Sequence, residues 1–579
     1  MIPVRVWAPR ARRVDLIVEG TARAMSPEPG DWYAAQLPAG TRYAFSLDGG
    51  PARPDPRSAY QPEGVHGPSE VVDTSAFAWT DRNYQGVEAL GAVMYELHVG
   101  TFTPQGTLRS AIERLDYLKD LGVTMVELMP LAAFPGRAGW GYDGVALWSV
   151  HEAYGGPRAL QEFVDAAHAR GLGVCLDVVH NHLGPSGNYL GEFGPYFTDR
   201  HHTPWGAAVN LDGDGSHEVR RFIIDSCLRW FSDFHVDALR LDAVHALIDE
   251  SHPHLLAQLS DEVAALRDRL ARPLSLIAES DLNDVSMVTP TARGGLGMDA
   301  QWDDDVHHAL HAWLTGERHG YYGDFGDSET LAKAFTEVFV HNGTYSSFRE
   351  KIWGRPVPAE VDRRRFVTFT ENHDQVGNRG MGDRPSERHP LGLVAGGAAL
   401  VLLSPFTPMI FQGQEFAAST PFPFFTDHDD DELAEAVRRG RREEFARHGW
   451  AELYGADASV PDPQSPSTFE RAHLRWEELD QDPHRTMLAW FRRLIQVRAR
   501  LEEMPRPHTA FDYGRDWCAL RRADVVVAVN RAEEPVHIHV GGGDLDAAMG
   551  EHQPCLKDGV LQLPGRSSAL VLGVPTSAH

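Results

Sequence analysis

The sequence predicts an α/β protein: a (β/α)8 TIM barrel flanked by an N-terminal β-sandwich and a small C-terminal β-domain. Three observations carry this. Four β-rich runs, at 174–179, 236–241, 274–278 and 366–370, end in acidic or histidine residues and alternate with stretches of helical periodicity. Strands that finish this way describe a parallel barrel with its chemistry on one rim. Both chain ends carry short alternating runs instead, as sandwich strands do. The length, 579 residues, suits a large barrel with two satellites.

Residues 1–86 are rich in Pro and Gly, with alternating runs at 4–8, 13–18 and 42–47. The barrel is expected over 87–505. Strand one is 93–99. Its helix is 108–121, with Ile112, Leu115, Leu118 and Leu121 on one face and Gly122 ending it. Strand two, 124–129, stops at Pro130, and Trp140-Gly141-Tyr142-Asp143 follows in its loop. Helix 157–170 leads to strand three at 173–178. The next loop, 181–210, is long, aromatic and Gly/Pro-rich, and reads as functional without structure of its own. Helices 216–234 and 251–271 feed strands 236–241 and 274–279. Strand six is 298–302, and His307, His308 and His311 follow on a helical stretch. Strands seven and eight are 365–371 and 408–411. An acidic, Phe- and Pro-rich insertion at 416–475 could overhang the rim, and helix eight is 485–502. Met504-Pro505-Arg506-Pro507 reads as a linker to a β-domain over 506–579, with runs at 518–522, 525–529 and 536–540.

The net charge is −28, from 54 basic and 82 acidic residues. Nucleic acid and anionic membrane are poor partners for such a surface, because phosphate binding needs cations. The four cysteines, Cys175, Cys227, Cys518 and Cys555, form no CxxC pair and no dense framework, which suits a reducing compartment. The N-terminus alternates like a strand at once, without a signal-peptide layout, and no apolar stretch of about 18 residues suggests a membrane span. The expectation is a cytoplasmic protein.

Val236-Asp237-Ala238-Leu239-Arg240-Leu241-Asp242 puts Arg240 and Asp242 on one strand face. A cation beside a carboxylate holds it ionised, so Asp242 is the candidate nucleophile. Glu279 ends an apolar strand, can have a raised pKa, and is the candidate general acid/base. Cleavage of a glycosidic bond with retention needs such a pair about 5–5.5 Å apart. Tyr142 can stack on the apolar face of a glucose, and His245 and Asp281 lie just past the two catalytic strand ends. Two histidine pairs, His307/His311 and His180/His182, could hold a metal. The first lacks an HExxH pattern and the second a third ligand, so neither cofactor nor metal is expected.

The strings DVVHNH, LRLDAVH, IAES and FTENHD, in that order, resemble the four motif regions of the α-amylase superfamily of glycoside hydrolases. YELHVGTFTPQGT, FPGRAGWGYDG, NHLGPSGNYLGEFGPYFTDRHHTPWG and FTENHDQVGN resemble, more finely, its maltooligosyltrehalose trehalohydrolases. The resemblance implies that Asp374 is a third acid gripping sugar hydroxyls. It also implies that His182 and His373 hydrogen-bond the sugar at the cleaved linkage, and that Asp177 orients Arg240 and the nucleophile. The N-terminal module is then the one found on debranching, branching and trehalose-forming relatives. The resemblance further implies a small-molecule glucan substrate, maltooligosyltrehalose, with trehalose as product, and action in sequence with a maltooligosyltrehalose synthase. The nearest alternative is a glycogen branching enzyme, which usually carries a serine and a glutamate where this chain has Asn372 and Gln375. A non-catalytic glucan-binding relative is another, but it would typically lose the acids. A trehalose pocket is expected beyond Glu279, from loop 183–209, Asp281, Gln375 and the 416–475 insertion.

Overall fold

In the computed structural model, residues 1–203, 206–447, 450–455, 458–504 and 508–575 are described. The β-rich runs become eight parallel strands: β1 (Met94–Leu97), β2 (Met125–Leu128), β3 (Gly173–Val178), β4 (Ala238–Leu241), β5 (Ser275–Ala278), β6 (Ala300–Trp302), β7 (Phe366–Thr368) and β8 (Thr407–Phe411). They pair in sequence order, and β8 closes on β1 through Met409 opposite Met94. One inward side chain per strand makes an apolar plug: Met94, Met125, Cys175, Ala238, Ile277, Ala300, Val367 and Met409. Two residues further on, the same face turns polar, with Glu96, Glu127, Asp177, Arg240 and Glu279. The strand period of two therefore delivers the charged residues to the C-terminal rim.

Where sequence and structure differ, packing decides. The expected helix 108–121 is two helices, Leu108–Ile112 and Leu115–Leu121. The first packs on the helix Gly156–His168 and the second on His484–Glu502, so the chain re-aims at Glu113 and Arg114. Gly122, at φ 101, ends the second. β6 and β7 shorten to three residues each. Loop 181–210 is not structureless: it holds a short helix, Leu190–Phe193, and a hairpin, Phe197–Thr203 with Gly206–Val209. A second hairpin, Thr344–Ser346 with Lys351–Trp353, stands between β6 and β7 where nothing was expected. The 416–475 insertion does overhang the rim. It carries helices Asp431–Arg447, Trp450–Tyr454 and Pro466–Glu470. Arg137 N donates to Asp427 Oδ2 at 2.7 Å, and Arg441 Nη2 to the Gly377 carbonyl at 2.8 Å.

The N-terminal strands form two antiparallel sheets, as a sandwich requires. They lean on the barrel through Arg57 to Asp225 (2.9 Å) and Arg53 to Glu192 (2.9 Å). The C-terminal strands form a five-stranded and a three-stranded sheet. Of the expected linker, Pro505, Arg506 and Pro507 lie outside the described residues.

The helix Leu391–Leu403 joins barrel to C-terminal domain. It is apolar all round, because it lies between the helix His484–Glu502 and the strands Val525–Asn530 and Ser567–Leu572. Two glycines permit the approach. A Cβ on Gly396 would stand 2.8 Å from the Val529 methyls, and one on Gly397 2.7 Å from Leu314. Gly396→Val is therefore expected to cost about 2 kcal/mol or more by overpacking, read as a lower thermal midpoint. An unchanged midpoint would show that the two domains do not pack tightly here.

Candidate active site

Arg240 ends β4 with its side chain fully buried. Its Nη1 lies 2.7 Å from Asp177 Oδ2 and 2.9 Å from Asp242 Oδ1, and its Nη2 lies 3.0 Å from Glu279 Oε2. One planar guanidinium thus touches acids from the ends of three adjacent strands, β3, β4 and β5. Its lower face rests on the indole of Trp302, 4.1 Å from the ring centroid. Burying this cation is tolerable only because several carboxylates surround it.

The carboxylates differ in what else they meet. Asp242 Oδ2 accepts from Asn181 Nδ2 at 2.7 Å, so both its oxygens face fixed donors. Asp177 Oδ2 also accepts from the Tyr142 hydroxyl at 2.6 Å. Glu279 Oε2 accepts from the Ala243 N–H at 2.6 Å, and Ala243 makes that possible by adopting a left-handed conformation, φ 38. Burial pushes the Glu279 carboxyl up; Arg240 pulls it down and Asp242 pushes it up again, leaving it above its ordinary value. Asp374 stands on the short helix after β7, 38% exposed, with Asn378 Nδ2 on its Oδ1 at 3.1 Å and His373 Nε2 3.6 Å from its Oδ2.

Glu96, on β1, holds His373 twice, accepting from its backbone N–H at 2.9 Å and from its ring Nδ1. Burial would depress that imidazole, but Glu96 and Asp374 outweigh burial and lift it to about 9. Beside Glu96 on β2, Glu127 is fully buried, and neither of its oxygens finds a partner among the described residues. Burial, with Glu96 and Asp177 nearby, pushes it well up, so it is carried as a neutral acid.

The remaining expected residues fall as follows. Tyr142 stacks on the His373 ring, centroids 5.0 Å apart, besides donating to Asp177. His182 meets Asn181 Oδ1 and the Tyr142 carbonyl. His180 is buried and pushed down by burial to about 4. His245 Nδ1 lies 3.9 Å from Asp281 Oδ1, so these two meet each other at the β5 end. Gln375 accepts from Tyr322 at 3.5 Å. His307 and His311 stack on one another, and His311 is taken up by Glu317 at 2.8 Å.

Sequence reasoning missed Glu96, Asn181 and Trp302. Glu96 had a signal, being another acid at the end of an apolar strand run. It also missed a trio in the 181–210 loop and beyond, His201, Asp212 and Glu250, whose ligand atoms lie within 4.8 Å of one another. Arg200 already supplies that trio with a cation, 3.3 Å from Asp212 and 3.7 Å from Glu250.

Residues 72–200 match the family model of the alpha amylase catalytic domain. A malto-oligosyltrehalose trehalohydrolase of Arthrobacter ramosus is 51% identical, over 94% of this chain and 95% of its own. One from Mycobacterium tuberculosis is 47% identical, over 98% of each. A crystal structure of a candidate α-amylase from Salmonella typhimurium superposes with a TM-score of 0.89 at 37% identity, covering 99% of this chain and 97% of that one. With such identity along nearly its whole length, the chain belongs to the malto-oligosyltrehalose trehalohydrolases of the α-amylase superfamily.

Proposed function

We propose that the protein hydrolyses the α-1,4 bond next to the terminal trehalose unit of maltooligosyltrehalose with retention, releasing trehalose and a maltooligosaccharide. The observation that carries the chemistry is the single guanidinium shared by Asp177, Asp242 and Glu279. Asp242, fixed by Arg240 and Asn181, attacks the anomeric carbon as a carboxylate. Glu279, whose carboxyl is raised by burial, gives its proton to the departing glycosidic oxygen. The glycosyl–Asp242 ester then loses its sugar to a water whose proton passes to Glu279, which restores both acids. Asp374 and the His373 cation bind hydroxyls of the distorted ring, His182 and Tyr142 line its other side, and Asp177 keeps Arg240 in place.

A branching enzyme of Corynebacterium jeikeium is 30% identical over only 59% of this chain, which favours the hydrolase reading. The substrate needs a trehalose end, so an enzyme that converts a reducing-end maltose unit to trehalose must act first; a maltooligosyltrehalose synthase fits that place. No described helix is long and apolar enough to cross a membrane, and all four cysteines are free thiols, which supports a cytoplasmic setting.

Roles can be separated with leaving groups. Asp242→Asn and Glu279→Gln are each expected to lose about a thousandfold or more in kcat on maltooligosyltrehalose. On a maltosyl fluoride, whose departure needs no acid, Glu279→Gln is expected to recover most of that loss and Asp242→Asn none. The reverse pattern would exchange the assignments. The His373–Glu96 pair gives a pH test. An imidazole lifted from 6.5 to about 9 lends stability that is complete below about pH 6.5 and lost as pH rises through about 9. That contribution is on the order of 3 kcal/mol. Thermal midpoints are expected to fall across this window, and Glu96→Gln to flatten the fall; a flat wild-type profile would contradict the pairing. Exhaustive chelation is expected to leave kcat unchanged, because Arg200 already neutralises the His201 trio. Loss of activity restored by calcium would overturn this.

A further inference from the structure

Glu127 lies inside the barrel, and the mechanism above gives it no work. It stands on β2 with Glu96 on β1 and Cys175 on β3 as its register partners. It is fully buried, and both of its oxygens lie without a partner among the described residues. A carboxyl held this way lowers stability, and an apolar side chain of the same length would fill the position without that cost. Its presence calls for a reason other than packing.

The charged groups around it show what that reason is. Four act on Glu127: Glu96 from β1, Asp177 from β3, Arg240 from β4 and His373 from the segment after β7. Glu96 already accepts from His373 with both oxygens, Oε2 from the backbone N–H and Oε1 from the ring. Asp242 has a donor on each oxygen. Asp177 is different. Its Oδ2 takes Arg240 and the Tyr142 hydroxyl, while its Oδ1 is buried with no donor among the described residues. Arg240 Nε is likewise buried with no acceptor there. Asp177 shares a strand face with Cys175 and lies two residues nearer the rim, so Glu127 and Asp177 are diagonal neighbours across β2 and β3. An acid, an acceptor and a donor thus lie buried together without direct partners. Buried waters occur where about three such groups converge.

We propose that Glu127 is a positioning residue: as a neutral acid it donates to an enclosed water, the water donates to Asp177 Oδ1, and Asp177 is thereby kept ionised beside Arg240. The inference rests on the mechanism proposed above, in which Asp177 keeps Arg240 in place. Burial lifts the Asp177 carboxyl, Arg240 lowers it, Asp242 lifts it again and Tyr142 lowers it, which leaves it at about 7. A carboxyl at that value is about half protonated at neutral pH, and in that fraction the fork that aligns Asp242 and Glu279 loses its anchor. A hydrogen bond to the charged form favours it, and a neutral donor gives that bond without adding a second negative charge. Burial, with Glu96 and Asp177 nearby, pushes Glu127 up, so it holds the proton that the bond needs. Cys175 beside it also keeps its proton, but a thiol is a weak donor.

Two variants and one spectrum test this. Glu127→Gln keeps a donor of nearly the same shape, and Glu127→Met keeps the length without one. In the pH profile of kcat/KM on maltotriosyltrehalose, Glu127→Met is expected to move the acid limb upward by about half a pH unit or more, because Asp177 loses the donor that favours its charge. Its kcat is expected to fall about tenfold with KM within about twofold, since the fork is disturbed and the sugar contacts are not. Glu127→Gln is expected to restore the limb, and the rate to within about threefold of wild type. A merely structural role would lower the rate at every pH and leave the limb in place. An unmoved limb in Glu127→Met, or a Glu127→Gln enzyme as impaired as Glu127→Met, overturns the proposal. Should Glu127→Met fail to fold, the infrared difference spectrum of the free enzyme, wild type minus Glu127→Gln, decides. It is expected to show the carbonyl stretch of a protonated carboxyl at neutral pH, and the paired bands of a carboxylate in its place overturn the proposal. That spectrum needs no substrate, so it stands apart from the reaction: a wild-type enzyme that released no trehalose would overturn the reaction and leave the proton on Glu127 where it is.

Discussion

Arg240 is a charge that water cannot reach, and the architecture around it follows from that. A buried guanidinium is costly unless every side of it meets a partner. Here Asp177, Asp242 and Glu279 come from successive strands, and Trp302 supplies the face below. Because the fork is rigid, it fixes where those carboxyls sit relative to each other as well as their charge. A lysine, a single point charge, could not span them.

The same constraint separates the two candidate catalytic acids. Asp242 meets a fixed donor on each oxygen, Arg240 on Oδ1 and Asn181 on Oδ2. Glu279 gains one backbone N–H from a strained Ala243, but burial and the neighbouring Asp242 press it toward its acid form. Deeper in the barrel the charge count is kept low by neutralisation. Glu127 is carried as an acid, and Glu96 is matched by the His373 cation. Were all these acids ionised, two cations would face more negative charge than a dry interior tolerates.

Much of this was readable in the chain because strands that bury their sides have little reason to end in acid. DVVHNH, LRLDAVH, IAES and FTENHD showed the rim, and Arg240 two residues before Asp242 showed the pairing. Glu96 was hidden because its strand was read as an opening strand rather than as another run with a terminal acid. Asn181 was hidden between two more conspicuous histidines, one of which is merely buried. The hairpin at 344–353 was invisible for a different reason. Its strands are only three residues long, too short for a period of two to show in the chain.

The claim that one guanidinium organises the site is tested most directly by the pH profile of kcat/KM in Arg240→Gln and Arg240→Lys beside wild type. Arg240 lowers the Glu279 carboxyl, so its loss in Arg240→Gln should carry the alkaline limb to higher pH while the rate falls about a hundredfold or more. Arg240→Lys keeps the charge but not the fork, so its limb should stay nearer the wild-type position with a comparable loss of rate. An Arg240→Gln enzyme within tenfold of wild type, with its alkaline limb unmoved, would contradict the account.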